Sequence, residues 1–225
     1  MKKAEGKFKN TAKYLCYVAV MAATLTVGKL ALSFIPNVEV VTLLIICYAA
    51  VFGRRYAIFA TMIFCAVETA IYGFGTWVLL YFIYWNALAV VSSLSLIKPK
   101  LYVAVIIAVL FTAFFGVLST AIDVMFAGIY GVPTSDLGKL FGAYYVKGVW
   151  FYVTHVVSNL LIVSALFVPL TKLLTKIKNG NYLEKSKNLT TLNDVQNDAC
   201  ISKNDSCSVL TVDSETDKKE TSDKP

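Results

Sequence analysis

The chain has 225 residues, a formal net charge of +7 at pH 7 and 57% hydrophobic residues. Its charged fraction is 16%, whereas about 25% is typical of soluble globular domains, so the composition excludes an ordinary soluble domain as the main part of the protein. Between Asn10 and Lys178 the acidic residues are Glu39, Glu68, Asp123 and Asp136. Because charge at membrane depth is costly and usually functional, these few groups are the first candidates for a site.

Six apolar segments follow one another along the chain. A bilayer core of roughly 30 Å needs about 20 apolar residues per helix. The candidate spans are residues 14–35, 38–52, 56–72, 77–97, 101–127 and 145–174. Turn residues separate them at 36–37, 53, 73–75, 98–100 and 128–142. The sequence therefore predicts an all-α, polytopic membrane protein with six transmembrane helices.

The second of these spans is short. At 1.5 Å per residue its roughly 15 residues cover only ~22 Å, which is less than the hydrocarbon thickness. We therefore expect residues 35–39 to lie below the membrane interface, where irregular backbone is tolerated only inside protein or along a cavity. Glu39 either lines such a cavity or stabilises the N-terminus of the second helix, and the two roles are compatible.

Basic residues indicate the orientation of the bundle. With the N-terminus inside, twelve of them fall on the cytoplasmic side: Lys2, Lys3, Lys7, Lys9, Lys13, Arg54, Arg55, Lys98, Lys100, Lys172, Lys176 and Lys178. Only Lys29, Lys139 and Lys147 lie at or near the outer side. The positive-inside rule then predicts a multi-pass protein of the cell membrane with both termini cytoplasmic. The net charge reflects this topology, and no nucleic-acid partner is expected.

The composition changes abruptly after Lys178. Residues 179–225 contain nine acids and six lysines but only five Leu or Ile residues. Such a segment cannot bury enough surface to offset the entropy lost on ordering. We therefore expect a six-helix membrane domain over residues 1–178 and a disordered, polar cytoplasmic tail over residues 179–225.

In this orientation the polar residues of the spans gather in the outer half of the membrane. Lys29, Glu68, Asp123 and Lys147 lie near outer helix ends, Asn37 and Glu39 follow the first outer turn, and His155 and Asn159 lie deeper in the sixth span. The inner halves carry no acidic residue, so we expect a cavity open to the outside and not a channel. A membrane histidine that merely bonds a neighbouring helix is an alternative that the sequence leaves open.

Three aromatic residues, Trp77, Tyr81 and Trp85, recur every four residues and so share one face of the fourth span. They form either an interfacial belt with core packing or a stacking surface for a planar ligand. Together with the polar cluster they complete the candidate substrate-binding set, which is Asn37, Glu39, Glu68, Trp77, Tyr81, Trp85, Asp123, Lys147, His155 and Asn159.

Known catalytic motifs are absent from the sequence. It has a single histidine, no Gly-x-Ser-x-Gly or His-Glu-x-x-His motif, and no P-loop for ATP hydrolysis. The five cysteines form neither a metal pattern nor a disulfide framework. We therefore do not expect an enzyme, a metal site or a cofactor. An ion-coupled secondary transporter that works alone and uses Glu68 and Asp123 remains an alternative.

Several local blocks resemble the substrate-binding S components of energy-coupling factor (ECF) transporters over roughly residues 10–175. One block is Lys-Leu-Ala-Leu-Ser-Phe-Ile-Pro-Asn-Val-Glu at 29–39, and another is Ile-Tyr-Gly-Phe-Gly-Thr-Trp at 71–77, just after Glu68. Tyr84-Trp85 and His155 with Asn159 add to the likeness. The chain departs from the pattern at Asn86, where the family commonly has proline, and at Tyr152, where it often has an acid.

The resemblance implies a function. It implies capture of a vitamin or similar micronutrient at the outer face, followed by docking on a shared transmembrane subunit with two cytoplasmic ATPases. It also implies that Ala19 and Ala23 form part of the docking surface, although small residues four apart permit close packing in any membrane protein. A structural or regulatory membrane protein that transports nothing is the third alternative.

Overall fold

The computed structural model describes the backbone of residues 2–36, 38–94 and 100–212, and the side chains of residues 11–36, 38–94 and 100–180. Every regular element in this part of the chain is an α-helix. The helices are α1 (Lys2–Ala31), α2 (Val41–Val51), α3 (Arg54–Tyr72), α4 (Thr76–Leu94), α5 (Leu101–Ile129) and α6 (Thr134–Val212). Five are long and apolar enough to cross a membrane, and α2 is a shorter apolar helix. The predicted all-α membrane fold is confirmed.

Several helix boundaries differ from the predicted spans. Helix α1 ends at Ala31, and residues 32–35 form turns and a bend before Pro36, since the residue ahead of a proline disfavours helical backbone. Helix α6 begins at Thr134, so the predicted break over 128–142 narrows to a turn around Gly131, whose φ is 101°. Gly138 and Gly142 lie inside α6, because glycine is tolerated in membrane helices more than in soluble ones.

Helix α2 lies at the centre of the bundle. It has 11 residues and is therefore about 16 Å long. Nine of its residues are buried, and it contacts α1, α3, α4 and α5. A helix that is apolar all round belongs in a protein interior. Residues 32–36 and 38–40, which lie between α1 and α2, are not helical.

Contacts between helices establish their directions. Helices α1 and α3 run parallel, because Lys29 pairs with Glu68 near both C-termini, while Tyr14 OH donates to the carbonyl oxygen of Arg55 at 3.4 Å near the other end. Thr76 at the start of α4 contacts Asp123 near the end of α5. The ends of α1, α3 and α5 and the starts of α2, α4 and α6 thus meet at one end of the bundle, which we call the pocket end.

Helix α6 packs on α5 through Tyr152. A Cβ atom on Gly116 would lie 2.6 Å from the Tyr152 ring, so the glycine leaves the space that the ring fills. The Tyr152 hydroxyl is also 3.1 Å from Thr120 Oγ1. This contact lies one turn from His155 and holds that part of α6 against α5.

The chain divides into two compact units, Met1–Thr175 and Lys176–Pro225. In the second unit the backbone is helical to Val212. The predicted disorder of residues 179–225 stays a prediction. Residues 213–225 lie outside the described part of the chain.

Candidate functional site

A cavity of about 420 Å³ lies at the pocket end of the bundle. The segment before α2 contributes part of its lining, and α1, α3, α4, α5 and α6 contribute the remainder. The lining residues are Lys29, Leu32, Ser33, Ile35, Pro36, Val38, Glu39, Tyr72, Trp77, Tyr81, Trp85, Phe115 and His155. The volume falls within the range of about 300–1,000 Å³ that is usual for small-molecule sites.

Glu39 connects the segment before α2 with α6. Its Oε1 accepts a hydrogen bond from Thr42 Oγ1 at 2.8 Å and lies 2.9 Å from His155 Nε2. The carboxylate and the imidazole thus share a hydrogen bond that joins the segment before α2 to α6. The N-cap of α2 is Val40, with no side-chain cap hydrogen bond. Glu39 lines the cavity, and its carboxylate bonds two side chains, one from the first turn of α2 and one from α6.

Lys29 and Glu68 form an ion pair at the cavity wall. The Glu68 side chain is fully buried, whereas that of Lys29 is 24% exposed and lines the cavity. The Lys29 ammonium lies 4.7 Å from the ring centroid of Tyr81, 5.0 Å from that of Tyr72 and 6.0 Å from that of Trp77. At these distances the ring faces attract a cation. Three aromatic rings and a carboxylate thus hold the lysine charge in place.

The aromatic residues of α4 alternate in orientation. Trp77 and Tyr81 have ring centroids 5.2 Å apart at 73°, and Tyr81 and Trp85 are 6.0 Å apart at 76°. Edge-to-face contacts of this kind are favourable between rings. Neighbouring rings are nearly perpendicular, so a flat ligand that stacks on one ring meets the edge of the next. The rings form a stepped surface that fits a small planar group better than an extended one.

Phe115 of α5 also lines the cavity and contacts aromatic rings of both α4 and α6. Its ring lies 4.9 Å from the His155 ring at 86°, and 5.0 Å from that of Tyr84 at 78°. Tyr84 in turn contacts Trp85 at 4.6 Å. The imidazole that bonds Glu39 is thus held between a carboxylate and an aromatic edge, which fixes its position relative to α4.

The structure brings together half of the predicted substrate-binding residues. Glu39, Trp77, Tyr81, Trp85 and His155 line the cavity. Glu68 lies behind the wall and reaches the cavity only through Lys29. These six form one contiguous group, as the helical spacing and the predicted outer position suggest. Their role in binding a substrate stays a prediction.

The remaining predicted residues lie elsewhere. Asp123 accepts a hydrogen bond from Thr76 Oγ1 at 2.7 Å, and this bond fixes the start of α4 next to Trp77. Lys147 is exposed and does not line the cavity. Asn159 is buried and donates to the backbone oxygen of His155 at 3.1 Å. Asn37 lies outside the described residues.

Some lining residues are not among the predicted site residues. The sequence places Lys29 with the polar residues at the outer end of the first span but outside the predicted substrate-binding set. The sequence signal for Lys29 is its predicted position in the same half of the bundle as Glu68, which lies 39 residues further along the chain. Tyr72 and Phe115 gave no signal, because a single aromatic residue in an apolar helix looks the same whether it packs or lines a cavity.

Several buried polar atoms near the cavity have no hydrogen-bond partner among the described residues. They are Glu68 Oε1, Trp85 Nε1, His155 Nδ1 and Asn159 Oδ1. Leaving such a group without a partner typically costs about 1–3 kcal/mol, so native proteins keep them few. Two of them, Trp85 Nε1 and His155 Nδ1, belong to residues that line the cavity.

No set of at least three His, Cys, Asp or Glu side chains suited to a metal ion occurs in the described part of the chain. Comparisons with models of protein families, with curated proteins and with solved structures find no match to this chain. Function must therefore be inferred from the cavity and its setting in a membrane bundle.

Proposed function

We propose that this protein is the substrate-binding membrane subunit, or S component, of an ECF-type importer. The observation that carries the proposal is the cavity at one end of the bundle, lined by an aromatic series on α4 and by the Glu39–His155 pair. A concave, mostly apolar site with a few convergent polar groups is the usual form of a small-molecule site. The family resemblance of the blocks at 29–39 and 71–77 falls on segments that line this cavity.

The proposal places the pocket end at the outer face of the cell membrane. Arg54 and Arg55 lie at the start of α3, which is the opposite end of the bundle from Glu68. The excess of basic residues on that side supports a cytoplasmic position under the positive-inside rule. The solute would then enter from outside, and both termini would be cytoplasmic.

The arrangement of the carboxylates favours this role over the ion-coupled carrier. Glu68 pairs with Lys29, while Asp123 bonds Thr76. The two acids thus belong to separate contacts between different helices and do not form a shared ion site. A carrier driven by an ion gradient needs groups that bind and release that ion, and both of these already have partners within the protein.

Energy for uptake would come from partner subunits. The sequence has no P-loop, so the proposed partners are a shared transmembrane subunit and two cytoplasmic ATPases. Ala19 and Ala23 are both exposed on α1 and lie four residues apart on one face. Small residues at this spacing permit close approach of a partner helix, which supports this face as the docking surface.

Uptake by cells tests the proposal. The chain is produced in a host that lacks an ECF module, with and without the shared subunit and ATPases, and accumulation of a compound retained by the purified protein is measured. Uptake should require the module and should be lost in Ala19→Trp/Ala23→Trp, while the purified variant keeps its affinity. Module-independent uptake would favour the stand-alone carrier, and parallel loss of affinity would show that this face packs internally.

A further inference from the structure

We infer that the cavity binds a small planar organic cation. The positive group of this solute contacts the carboxylate of Glu39. This inference rests on the proposed function, since it names the chemical class of the solute. Three observations carry it: the state of Lys29, the partners of Glu39 and the aromatic lining.

Lys29 does not offer a free positive charge to a ligand. Its ammonium is paired with Glu68, whose side chain is fully buried. The rings of Tyr72, Trp77 and Tyr81 lie within 6.0 Å of the same ammonium. A ligand carboxylate at Lys29 would compete with Glu68 and would approach the negative faces of these rings. Lys29 is therefore part of the cavity wall, and an anionic ligand gains little binding free energy from its charge.

Glu39 is the acidic residue whose side chain lines the cavity. Its partners among the described residues are the Thr42 hydroxyl at 2.8 Å and the His155 ring at 2.9 Å. Lys29, the lysine of the lining, is already paired with Glu68. A carboxylate in partly dry surroundings costs free energy unless a positive group approaches it. A cationic group on the solute can approach the Glu39 carboxylate from the cavity.

The aromatic lining points to the same class. Tyr81, Trp85 and Phe115 line the cavity together with Glu39, and their ring faces attract cations. The stepped arrangement on α4 offers single ring faces, which suits one small flat group. The volume of about 420 Å³ is in the lower part of the range for ligand sites, so the solute is small.

Three probes with one aromatic body and different charge test the inference. Tryptamine is cationic at pH 7, tryptophol is neutral and indole-3-acetate is anionic. Affinity for the purified full-length protein is measured by titration calorimetry, and compounds retained from cells grown on yeast extract are identified by native mass spectrometry. Tryptamine should bind at least tenfold more tightly than either other probe. Glu39→Gln should remove that tenfold preference, because the amide keeps the shape without the charge.

The matched control is Asp136→Asn, which removes a carboxylate that pairs with Lys139 on the surface and does not line the cavity. This variant should keep the preference for tryptamine. Equal or tighter binding of indole-3-acetate, or an anionic retained compound, would overturn the inference and leave the proposed function standing. If none of the probes binds, the charge of the retained compound decides. If no compound is retained either, both the inference and the proposed function fail.

Discussion

Lys29 shows how a charged residue is accommodated within an apolar helix. Its ammonium is paired with a fully buried carboxylate and lies within reach of three aromatic rings. Removing one member of a buried ion pair typically costs about 3–5 kcal/mol, since the other charge is left uncompensated. The wall of the cavity thus depends on a pair of charges that no single segment of sequence specifies.

Lys29→Ala should therefore lower the thermal unfolding midpoint of the purified protein markedly. Because alanine keeps the Cβ atom, propylammonium replaces the atoms that the variant lacks. Millimolar propylammonium should raise the midpoint of Lys29→Ala and leave the wild type unchanged, while propanol at equal concentration should do nothing. Lys29→Ala/Glu68→Gln should recover part of the stability without any additive. A variant that responds alike to propanol and propylammonium would contradict this account of the pair.

A second residue-scale comparison uses two positions that the sequence treats as equivalent. His155 bonds Glu39 in the cavity, whereas Lys147 on the same helix is exposed and away from it. His155→Ala should weaken binding of the retained solute at least tenfold, or ~1.4 kcal/mol. Lys147→Ala should change it less than twofold. Equal losses at the two positions would mean that the site extends along α6 beyond the cavity described here.

At the scale of elements, the contact between α6 and α5 at Tyr152 includes Gly116, which has no side chain in the way of the ring. Gly116→Ala would bring a Cβ atom to 2.6 Å from the Tyr152 ring, and overpacking of this kind costs about 1–3 kcal/mol. The matched control is Gly142→Ala in α6, where no heavy atom lies within 4 Å of the new Cβ. The control should be neutral or stabilising by about 0.5–1 kcal/mol, because alanine is the better helix former. The thermal unfolding midpoints of the two variants in detergent test this expectation. Equal midpoints would show that the Tyr152 ring moves aside without a cost in stability.

The elements also show what the sequence predicts well. The lengths of the apolar segments predict the six helices, because a helix that crosses the bilayer needs a long apolar span between turns. Every-fourth-residue spacing placed Trp77, Tyr81 and Trp85 on one face, and that face lines the cavity. The start of α6 was missed, since Gly138 and Gly142 look like turn residues but lie within a helix.

Which polar residues meet is harder to predict from sequence. Depth alone grouped Asp123 and Lys147 with Glu39, but depth does not specify the direction in which a side chain points around its helix. Asp123 faces Thr76 and Lys147 is exposed. The pairing of Lys29 with Glu68 needs the parallel arrangement of α1 and α3, which arises only when the helices pack around α2. The rotation of each helix about its own axis and the identity of its neighbouring helices are set by tertiary packing. The residue pattern within a single helix does not specify them.

At the scale of the whole molecule, the orientation proposed for the bundle can be tested directly. Single cysteines are introduced into a cysteine-free background at Phe74, in the turn between α3 and α4, and at Arg54, at the opposite end of α3. The charge bias predicts that a membrane-impermeant reagent labels intact cells at position 74 and not at position 54. Opening the cells should make both positions reactive. The reverse pattern would place the cavity on the cytoplasmic side and would rule out capture of a solute from outside.

The central claim is that the cavity at the pocket end binds a small solute. The most direct measurement is native mass spectrometry of the full-length protein from cells grown in rich medium, compared between wild type, Glu39→Gln and Val163→Ala. Val163 is fully buried in α6, two turns beyond His155, so its truncation lowers stability without touching the cavity. The wild type and Val163→Ala should retain the same compound, and Glu39→Gln should lose it. A compound retained equally by all three proteins, or by none, would contradict the claim.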